Sequence, residues 1–156
     1  IEHCNGKYII MGDADDSYNF LELSLFIERL QAGYDMVMGN RFAGGITKGA
    51  MPWLHRYVGN PFLSSLGRFL FKNNIGDFHC GLRAFTKKCY NIINPQCNGM
   101  EFASELVALA SIHQMRICEI PVTLYPDGRK RRPHLRSWRD GFRHMVLLYS
   151  LYLLRN

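Results

Sequence analysis

Residues 8–16 read Tyr-Ile-Ile-Met-Gly-Asp-Ala-Asp-Asp, and this stretch decides the fold. The apolar run from Tyr8 to Met11 ends at a glycine, which is the pattern of a short buried strand. An acidic cluster follows directly, with Asp13 and Asp15 one residue apart. Because ligands of α/β proteins bind beyond the carboxyl ends of the strands, this loop is predicted to carry a functional site.

The segments that follow predict an α/β domain. Asn19 is expected to cap a helix, with Glu22 at the capping-box position and Gly33 at its end. Residues 36–38 are a second apolar strand, so the order strand, helix, strand predicts a mostly parallel sheet flanked by helices. The loop at residues 42–58 is rich in glycine and is predicted to be irregular. Further helices are expected at residues 60–72, 86–93, 101–113 and from 137, and further strands at 81–85 and 115–122.

Composition and charge narrow the possible partners. The chain has 156 residues, 47% of them hydrophobic and 21% charged, which is typical of a folded domain. Its net charge is +6, and residues 127–144 hold seven Lys or Arg against two Asp, a net +5. Such a cluster favours anionic lipid or phosphate, although a solvated loop on the cytoplasmic side of a membrane is an equally open interpretation. Nucleic acid is not expected, since no recognisable binding module is present.

The C-terminal segment is predicted to be an amphipathic or membrane-proximal helix. It begins at Ser137, and its apolar part, residues 145–154, rises about 15 Å, half of a bilayer core. We expect an interfacial helix or the start of a transmembrane one. Residues 1–126 are assigned to a catalytic domain and residues 127–156 to a basic membrane-proximal segment, which predicts association with the cytoplasmic face of a membrane. Because Ile1 leads straight into a strand, we expect a part of a longer protein.

The acidic cluster is a candidate site for a divalent metal. Asp13 and Asp15 can point the same way and hold Mg²⁺, which prefers oxygen ligands and is often shared with substrate phosphates. The alternative is a solvated acidic turn that also caps the next helix. An EF-hand is excluded, because Tyr18 stands where glycine is required and Ser24 where the closing glutamate is required.

Four motifs in order resemble those of one family. They are residues 9–17 (IIMGDADDS), 39–42 (GNRF), 77–85 (DFHCGLRAF) and 119–122 (EIPV). Together they resemble the family 2 glycosyltransferases of the dolichyl-phosphate mannose and glucose synthase type, over nearly the whole chain. The resemblance implies a GT-A fold that lacks its first strand–helix–strand units here. Because those units hold the nucleotide base, the chain alone is not expected to bind the donor properly.

The resemblance also implies roles for individual residues. Asp13 and Asp15 would bind Mg²⁺ or Mn²⁺ and, through it, the diphosphate of a nucleotide sugar donor. Asp16 is assigned to the same donor diphosphate. Arg41 and Arg56 would contact the phosphate of a polyprenyl or dolichyl phosphate acceptor. The same role is assigned to three further arginines, Arg83, Arg131 and Arg132.

Asp77 matches a family aspartate close to the reaction centre, and together with Asp15 it is predicted to be catalytic. A hydroxyl acceptor would need Asp77 as a general base. A phosphate monoester is already largely dianionic at pH 7, so Asp77 would then orient the acceptor or support the metal.

The implied reaction is an inverting transfer of a hexose from a donor of the UDP-glucose or GDP-mannose type to polyprenyl phosphate. Two alternatives stay open at this point. One is a related transferase that extends a glycan or a lipid-linked sugar. The other is a non-catalytic, basic, membrane-associated domain.

Overall fold

The computed structural model describes residues 1, 3–128 and 137–155. Apolar runs and capping residues divide these residues into short strands and helices. The strands are β1 (Tyr8–Met11), β2 (Met36–Asn40), β3 (Arg83–Thr86) and β4 (Ile117–Pro121). The α-helices are α1 (Leu23–Gln31), α2 (Arg41–Gly44), α3 (Asn60–Phe71), α4 (Lys87–Ile93), α5 (Phe102–Ile112) and α6 (Ser137–Arg155). A 3₁₀ turn at Phe20–Glu22 precedes α1, and a π turn at His55–Gly59 precedes α3.

The four strands form one mixed sheet in the order β1-β3-β2-β4. β3 pairs antiparallel with both β1 and β2, whereas β2 and β4 are parallel. The predicted α/β fold is confirmed. The expectation of mostly parallel pairing is wrong, because two of the three pairs of neighbouring strands are antiparallel. β1, β2 and β4 do run in one direction. The error arises because β3 enters between them in the opposite direction, and an apolar run carries no information about strand direction.

This topology brings several loops to one edge of the sheet. Met11 at the end of β1 is paired with Arg83 at the start of β3, and Asn40 at the end of β2 is paired with Pro121 at the end of β4. The loops that leave β1, β2 and β4 therefore meet the loop that enters β3. The acidic cluster lies in the first of these loops and Asp77 in the last.

The two faces of the sheet carry separate apolar cores. Met36, Met38 and Phe85 pack on one face with residues of α5, whereas Val37 and Ala84 pack on the other face with residues of α1. This alternation is the period of two that a strand imposes on its side chains. Helices consequently cover both faces of the sheet.

Two capping side chains predicted from the sequence stabilise the starts of helical segments. Asn19 Oδ1 accepts from Leu21 N at 3.1 Å and caps the 3₁₀ turn before α1, and Thr86 Oγ1 accepts from Cys89 N at 2.9 Å and caps α4. The loop predicted over residues 42–58 is less irregular than expected. It contains most of α2 and part of the π turn. Helix α2 begins at Arg41 because Asn40 Oδ1 accepts from Ala43 N at 2.9 Å.

Helix α6 packs against α3 and α5 through Leu148, which is fully buried beside Leu70 and Ala108. Its outer side exposes an apolar stripe made of Phe142, Val146, Tyr149 and Leu153. Among the described residues, no helix combines the length and the hydropathy needed to cross a bilayer. The predicted division near residue 126 stays a prediction.

Candidate active site

The acidic loop is fitted closely against the loop before β3. A Cβ placed on Gly81 would lie 2.6 Å from Asp13 Cγ and 2.9 Å from Asp13 Oδ1. The carboxylate of Asp13 thus occupies the space that any side chain at residue 81 would fill. This packing fixes Asp13 at the edge of the sheet where the loops converge.

The second half of the acidic loop is held by hydrogen bonds. Asp15 Oδ1 accepts from the backbone N–H of Ser17 at 3.2 Å and from its hydroxyl. The segment after β4 crosses the same loop, since Tyr125 N donates to Ser17 O at 3.0 Å and Gly128 N donates to Asp15 O at 2.9 Å. Asp16 takes up the left-handed conformation, with φ of 60°. These contacts fix the backbone on both sides of Asp15.

Asp77 forms a buried ion pair with Arg41. Arg41 Nε donates to Asp77 Oδ2 at 2.7 Å and Arg41 Nη2 donates to Asp77 Oδ1 at 2.7 Å. The backbone N–H of Arg41 adds a third bond to Oδ2 at 3.1 Å. Asp77 is fully buried and Arg41 is 8% exposed. Both carboxylate oxygens of Asp77 are therefore committed to Arg41.

The ion pair sets the protonation state of Asp77. Burial by itself would raise the pKa of this carboxyl, but the hydrogen bonds and the charge of Arg41 outweigh burial and hold the pKa below its ordinary value of 3.8. Asp77 is consequently a stable carboxylate at neutral pH. A carboxylate with a lowered pKa and two occupied oxygens is a weak proton acceptor.

Side chains from two other elements hold the turn that carries Asp77. Glu119 Oε1 on β4 accepts from Gly76 N at 2.9 Å and from Asp77 N at 3.0 Å. Ser64 Oγ on α3 accepts from Phe78 N at 3.2 Å. The backbone of this turn is thus defined by side chains far away along the chain.

Tyr18 connects the two loops. Its hydroxyl accepts from Gly81 N at 3.0 Å, and the side chain is almost fully buried. Burial is the main reason that the pKa of the phenol is raised, so the hydroxyl stays neutral. Tyr18 therefore fixes the distance between the acidic loop and the Gly81 segment.

Arg83, which is predicted to contact the acceptor phosphate, lies inside the protein. The side chain is 1% exposed, and it donates to the carbonyl of Cys80 and, at 3.1 Å, to the carbonyl of Ala103. Burial lowers its pKa, although the charge of Asp13 is among the influences that oppose this. Contact with an acceptor phosphate would require the Arg83 side chain to leave these partners. As placed, it links the loop before β3 to α5.

The remaining predicted residues are only partly located. Arg56 lies in the π turn, half-buried, and its Nη1 donates to Ile46 O at 3.3 Å. Arg131 and Arg132 lie outside the described residues, so their predicted contacts with acceptor phosphate stay predictions. The structure brings five other predicted site residues to one edge of the sheet: Asp13, Asp15, Asp16, Arg41 and Asp77. Their roles also stay predictions.

Sequence reasoning missed a histidine network beside this site. His79 Nε2 is 3.0 Å from Ser104 Oγ, which is 2.8 Å from His144 Nδ1, and the two rings pack edge to face. Burial, with the charge of His144 as a smaller cause, lowers the pKa of His79 to about 3. Burial also lowers the pKa of His144. The network joins α6 to the loop that carries Asp77, and only its tertiary contacts reveal it.

The acidic pair suits a metal that is shared with a substrate. Among the described residues, no cluster of three or more His, Cys, Asp or Glu side chains is arranged to hold a metal ion. Mg²⁺ is commonly bound by one or two carboxylates together with substrate phosphates. The placement of Asp13 against Gly81 and the support of the Asp15 backbone fit such a pair. The metal would offset the negative charge of a diphosphate leaving group.

The mixed sheet, the helices on both its faces and the acidic loop define the GT-A-like fold of glycosyltransferases. A solved structure shares this fold: glucosyl-3-phosphoglycerate synthase from Mycobacterium tuberculosis in complex with phosphoglyceric acid superposes with a TM-score of 0.68 at 15% identity, over 95% of this chain and 50% of that one. The same enzyme has been crystallised with Mn²⁺, UDP and glucosyl-3-phosphoglycerate, and that form superposes with a TM-score of 0.62 at 14% identity, over 97% of this chain and 50% of that one.

The chain belongs to glycosyl transferase family 2, whose family profile matches residues 1–92. It is 39% identical over 145 residues to a low-salt glycan biosynthesis hexosyltransferase of Haloferax volcanii, covering 92% of this chain and 35% of the relative. It is 32% identical over 116 residues to a dolichyl-phosphate hexose transferase of the same organism, covering 73% of this chain and 48% of the relative. The chain thus spans between about a third and a half of these curated relatives, and the predicted family is confirmed.

Proposed function

We propose that the full-length protein transfers a hexose from a nucleotide diphosphate sugar to polyprenyl phosphate, with Mg²⁺ or Mn²⁺ bound by Asp13 and Asp15. An oxygen of the acceptor phosphate forms a bond to the anomeric carbon. The bond from that carbon to the donor diphosphate breaks, and the nucleoside diphosphate leaves with the electron pair. A single displacement inverts the anomeric configuration.

The observation that carries this proposal is the packing of Asp13 against Gly81, in the loop that carries Asp77. The acidic loop offers carboxylate oxygens for a metal-bound diphosphate, and Arg41, the first residue after β2, is paired with Asp77 at the same edge of the sheet. The Arg41–Asp77 pair is neutral as a whole, so it supplies an ordered donor group beside the acidic loop without supplying a free base.

The state of Asp77 favours a phosphate acceptor over a hydroxyl acceptor. A hydroxyl must lose its proton as the new bond forms, and the residue that takes it should have a pKa near the working pH. Asp77 has its pKa lowered and both oxygens bound to Arg41. A phosphate acceptor needs no such base. Asp77 then acts by orienting Arg41.

We also propose that the protein works at the cytoplasmic face of a membrane. The outward stripe of α6 (Phe142, Val146, Tyr149 and Leu153) suits the boundary between headgroups and acyl chains. The cationic excess over residues 127–144 suits anionic headgroups. Co-sedimentation with anionic phospholipid vesicles tests this, and replacing Phe142 and Tyr149 by Ser should release the protein. Unchanged sedimentation of that double variant would contradict the membrane role of α6.

The reaction is tested with the full-length protein in membranes. Labelled UDP-glucose and GDP-mannose are offered with polyprenyl phosphate and Mg²⁺ or Mn²⁺, and the wild type is compared with Asp15→Asn. Glu28→Gln, an exposed carboxylate on α1, is the matched control. We expect label to enter the lipid phase with the wild type and the control, and to be lost with a chelator or with Asp15→Asn.

Other outcomes identify the alternatives. Label that enters only a sugar-chain product would support a glycan-extending transferase and a base role for Asp77. The absence of metal-dependent transfer from either donor would favour a non-catalytic, membrane-associated domain.

A further inference from the structure

Glu119, on β4, contacts the turn that carries Asp77 through its side chain. Its Oε1 accepts from two successive backbone N–H groups, those of Gly76 and Asp77. A carboxylate oxygen that receives two amide protons fixes both peptide planes at once. The strand position is itself fixed, because Glu119 is in register with Met38 of β2.

The surroundings of Gly76 show that this turn is held tightly. A Cβ on Gly76 would lie 2.9 Å from Asn40 Nδ2 and 3.5 Å from Glu119 Oε2. The turn therefore lies directly against the ends of β2 and β4, and a side chain at residue 76 would have to displace the Asn40 amide. Rotation of the Gly76–Asp77 peptide would break the bond from Asp77 N to Glu119.

The orientation of this peptide determines where Arg41 points. The Asp77 carboxylate receives Nε, Nη2 and the backbone N–H of Arg41. A change in the Asp77 backbone moves the carboxylate, and a fork of two parallel hydrogen bonds forces the guanidinium to follow. Glu119 thus acts on Arg41 through Asp77.

We propose that Glu119 is a positioning residue of the transfer reaction, which fixes the Asp77–Arg41 pair through the two backbone hydrogen bonds at Gly76 and Asp77. This inference rests on the proposed function. Glu119 contacts neither the metal nor a substrate in this role. Its effect on the reaction depends on the position of Oε1 as a hydrogen-bond acceptor and not on its negative charge.

A role that depends on the position of Oε1 predicts an unusual order of activity among the variants of Glu119. Glu119→Gln keeps an oxygen at the same reach and can still accept both N–H bonds. Glu119→Asp keeps the charge but withdraws the carboxylate by about 1.5 Å, one carbon–carbon bond. Because Glu119 is only half-buried, the new amide group of glutamine can be solvated. The glutamine variant should therefore work better than the aspartate variant.

The test uses the full-length protein and two independent readouts. In the transfer assay, Glu119→Asp and Glu119→Ala should lose about 10²-fold in kcat, the loss typical of a displacement of about 1 Å. The KM for the nucleotide sugar should be unchanged, and Glu119→Gln should stay within about 3-fold of the wild type. Glu28→Ala on α1 is the control for loss of a carboxylate. In parallel, hydrogen exchange at the amides of residues 76 and 77 should accelerate in Glu119→Asp and Glu119→Ala but not in Glu119→Gln.

Three other outcomes would overturn the proposal. Activity retained by Glu119→Asp and lost by Glu119→Gln would show that the charge matters. A parallel loss of kcat, donor affinity and melting temperature would show a merely structural role. Exchange at residues 76 and 77 that is unchanged in Glu119→Asp would refute the positioning contact. A wild type that transfers no sugar counts against the proposed function alone, because the exchange measurement still decides on Glu119.

Discussion

A methyl group at residue 81 is expected to weaken metal binding while leaving the fold largely intact. In Gly81→Ala the new Cβ would lie 2.6 Å from Asp13 Cγ. Ordinary van der Waals contact begins at 3.4 Å, so Cγ must retreat by at least 0.8 Å, and Oδ2, which lies closer still to the new Cβ, must retreat further. The atoms that must move are the end of a side chain, and Gly81 is not among the glycines with positive φ.

The expected loss of metal affinity follows from how little the distances between a metal and its ligands can vary. Mg²⁺ requires ligands at about 2.0–2.1 Å in near-ideal geometry, and ligand distances vary by only about 0.2 Å. A retreat of 0.8 Å therefore removes Asp13 as a ligand or forces the metal to shift. We expect the metal concentration for half-maximal transfer to rise by about 10- to 100-fold, the range found when a supporting contact is lost. The cost in unfolding free energy should be about 1–3 kcal/mol, as for other small overpacking changes.

The assay is a Mn²⁺ titration of sugar transfer, accompanied by Mn²⁺ binding measured by electron paramagnetic resonance in the presence of nucleoside diphosphate. Gly141→Ala is the matched control, because a Cβ at that position in α6 meets nothing within 4 Å. It should leave the metal requirement unchanged and add about 0.5–1 kcal/mol of stability. An unchanged metal requirement in Gly81→Ala would refute the assignment of Asp13 as a ligand.

Three further predictions concern the buried polar groups. Asp77→Ala should lower the free energy of unfolding by about 3–5 kcal/mol in urea, because Arg41 is left buried with an unpaired charge. In the wild type, the stabilisation that Asp77 provides should be complete well above the unfolded pKa of 3.8 and be lost progressively as the pH falls through 3.8 towards the lowered folded pKa, since the unfolded state binds the proton first. Tyr18→Phe should cost about 1–3 kcal/mol in the same assay, because the N–H of Gly81 loses its acceptor. The melting temperature should fall between pH 7 and pH 5, because burial keeps His79 and His144 neutral in the folded state while the unfolded state gains protons below about pH 6.5.

Controls separate these effects from general damage. Replacing Arg41 by Met together with Asp77 by Leu should recover much of the stability lost in Asp77→Ala. Tyr57→Phe, at an exposed tyrosine, should cost nothing measurable. Replacing both His79 and His144 by Gln should flatten the pH dependence, whereas His113→Gln at an exposed position should not. A pH dependence that persists in the double histidine variant would contradict the assignment.

Local patterns in the sequence were enough to predict most elements. The run from Tyr8 to Met11 is a strand, and Asn19 and Thr86 cap the helices that follow them, because strand burial and capping depend on residues that are neighbours along the chain. The position of the acidic loop at a sheet edge followed from the strand before it. The order of the motifs was also sufficient to predict the family.

The contacts that complete the site could not be predicted in this way. The insertion of β3 between β1 and β2 is a property of the whole chain path, so the mixed pairing was missed. Arg41 and Asp77 each lie in a recognisable motif. The residues next to them in the sequence, however, do not indicate that the two side chains form an ion pair. Arg83 illustrates the same limit. It lies in a recognisable motif, but nothing local indicates that the carbonyls of Cys80 and Ala103 enclose it, and the phosphate contact assigned to it stays a prediction.

The hydrogen bonds from Tyr125 and Gly128 to the acidic loop have a consequence for folding. They join residues more than 100 positions apart along the chain. Closing so long a loop costs conformational entropy before the contact repays it, so such contacts slow folding relative to the helices and the caps. The acidic loop is thus a local motif whose final geometry depends on a late, long-range step. A chain ending at Val122 would retain all four strands, yet it would lose both of the bonds that hold the backbone at Asp15 and Ser17.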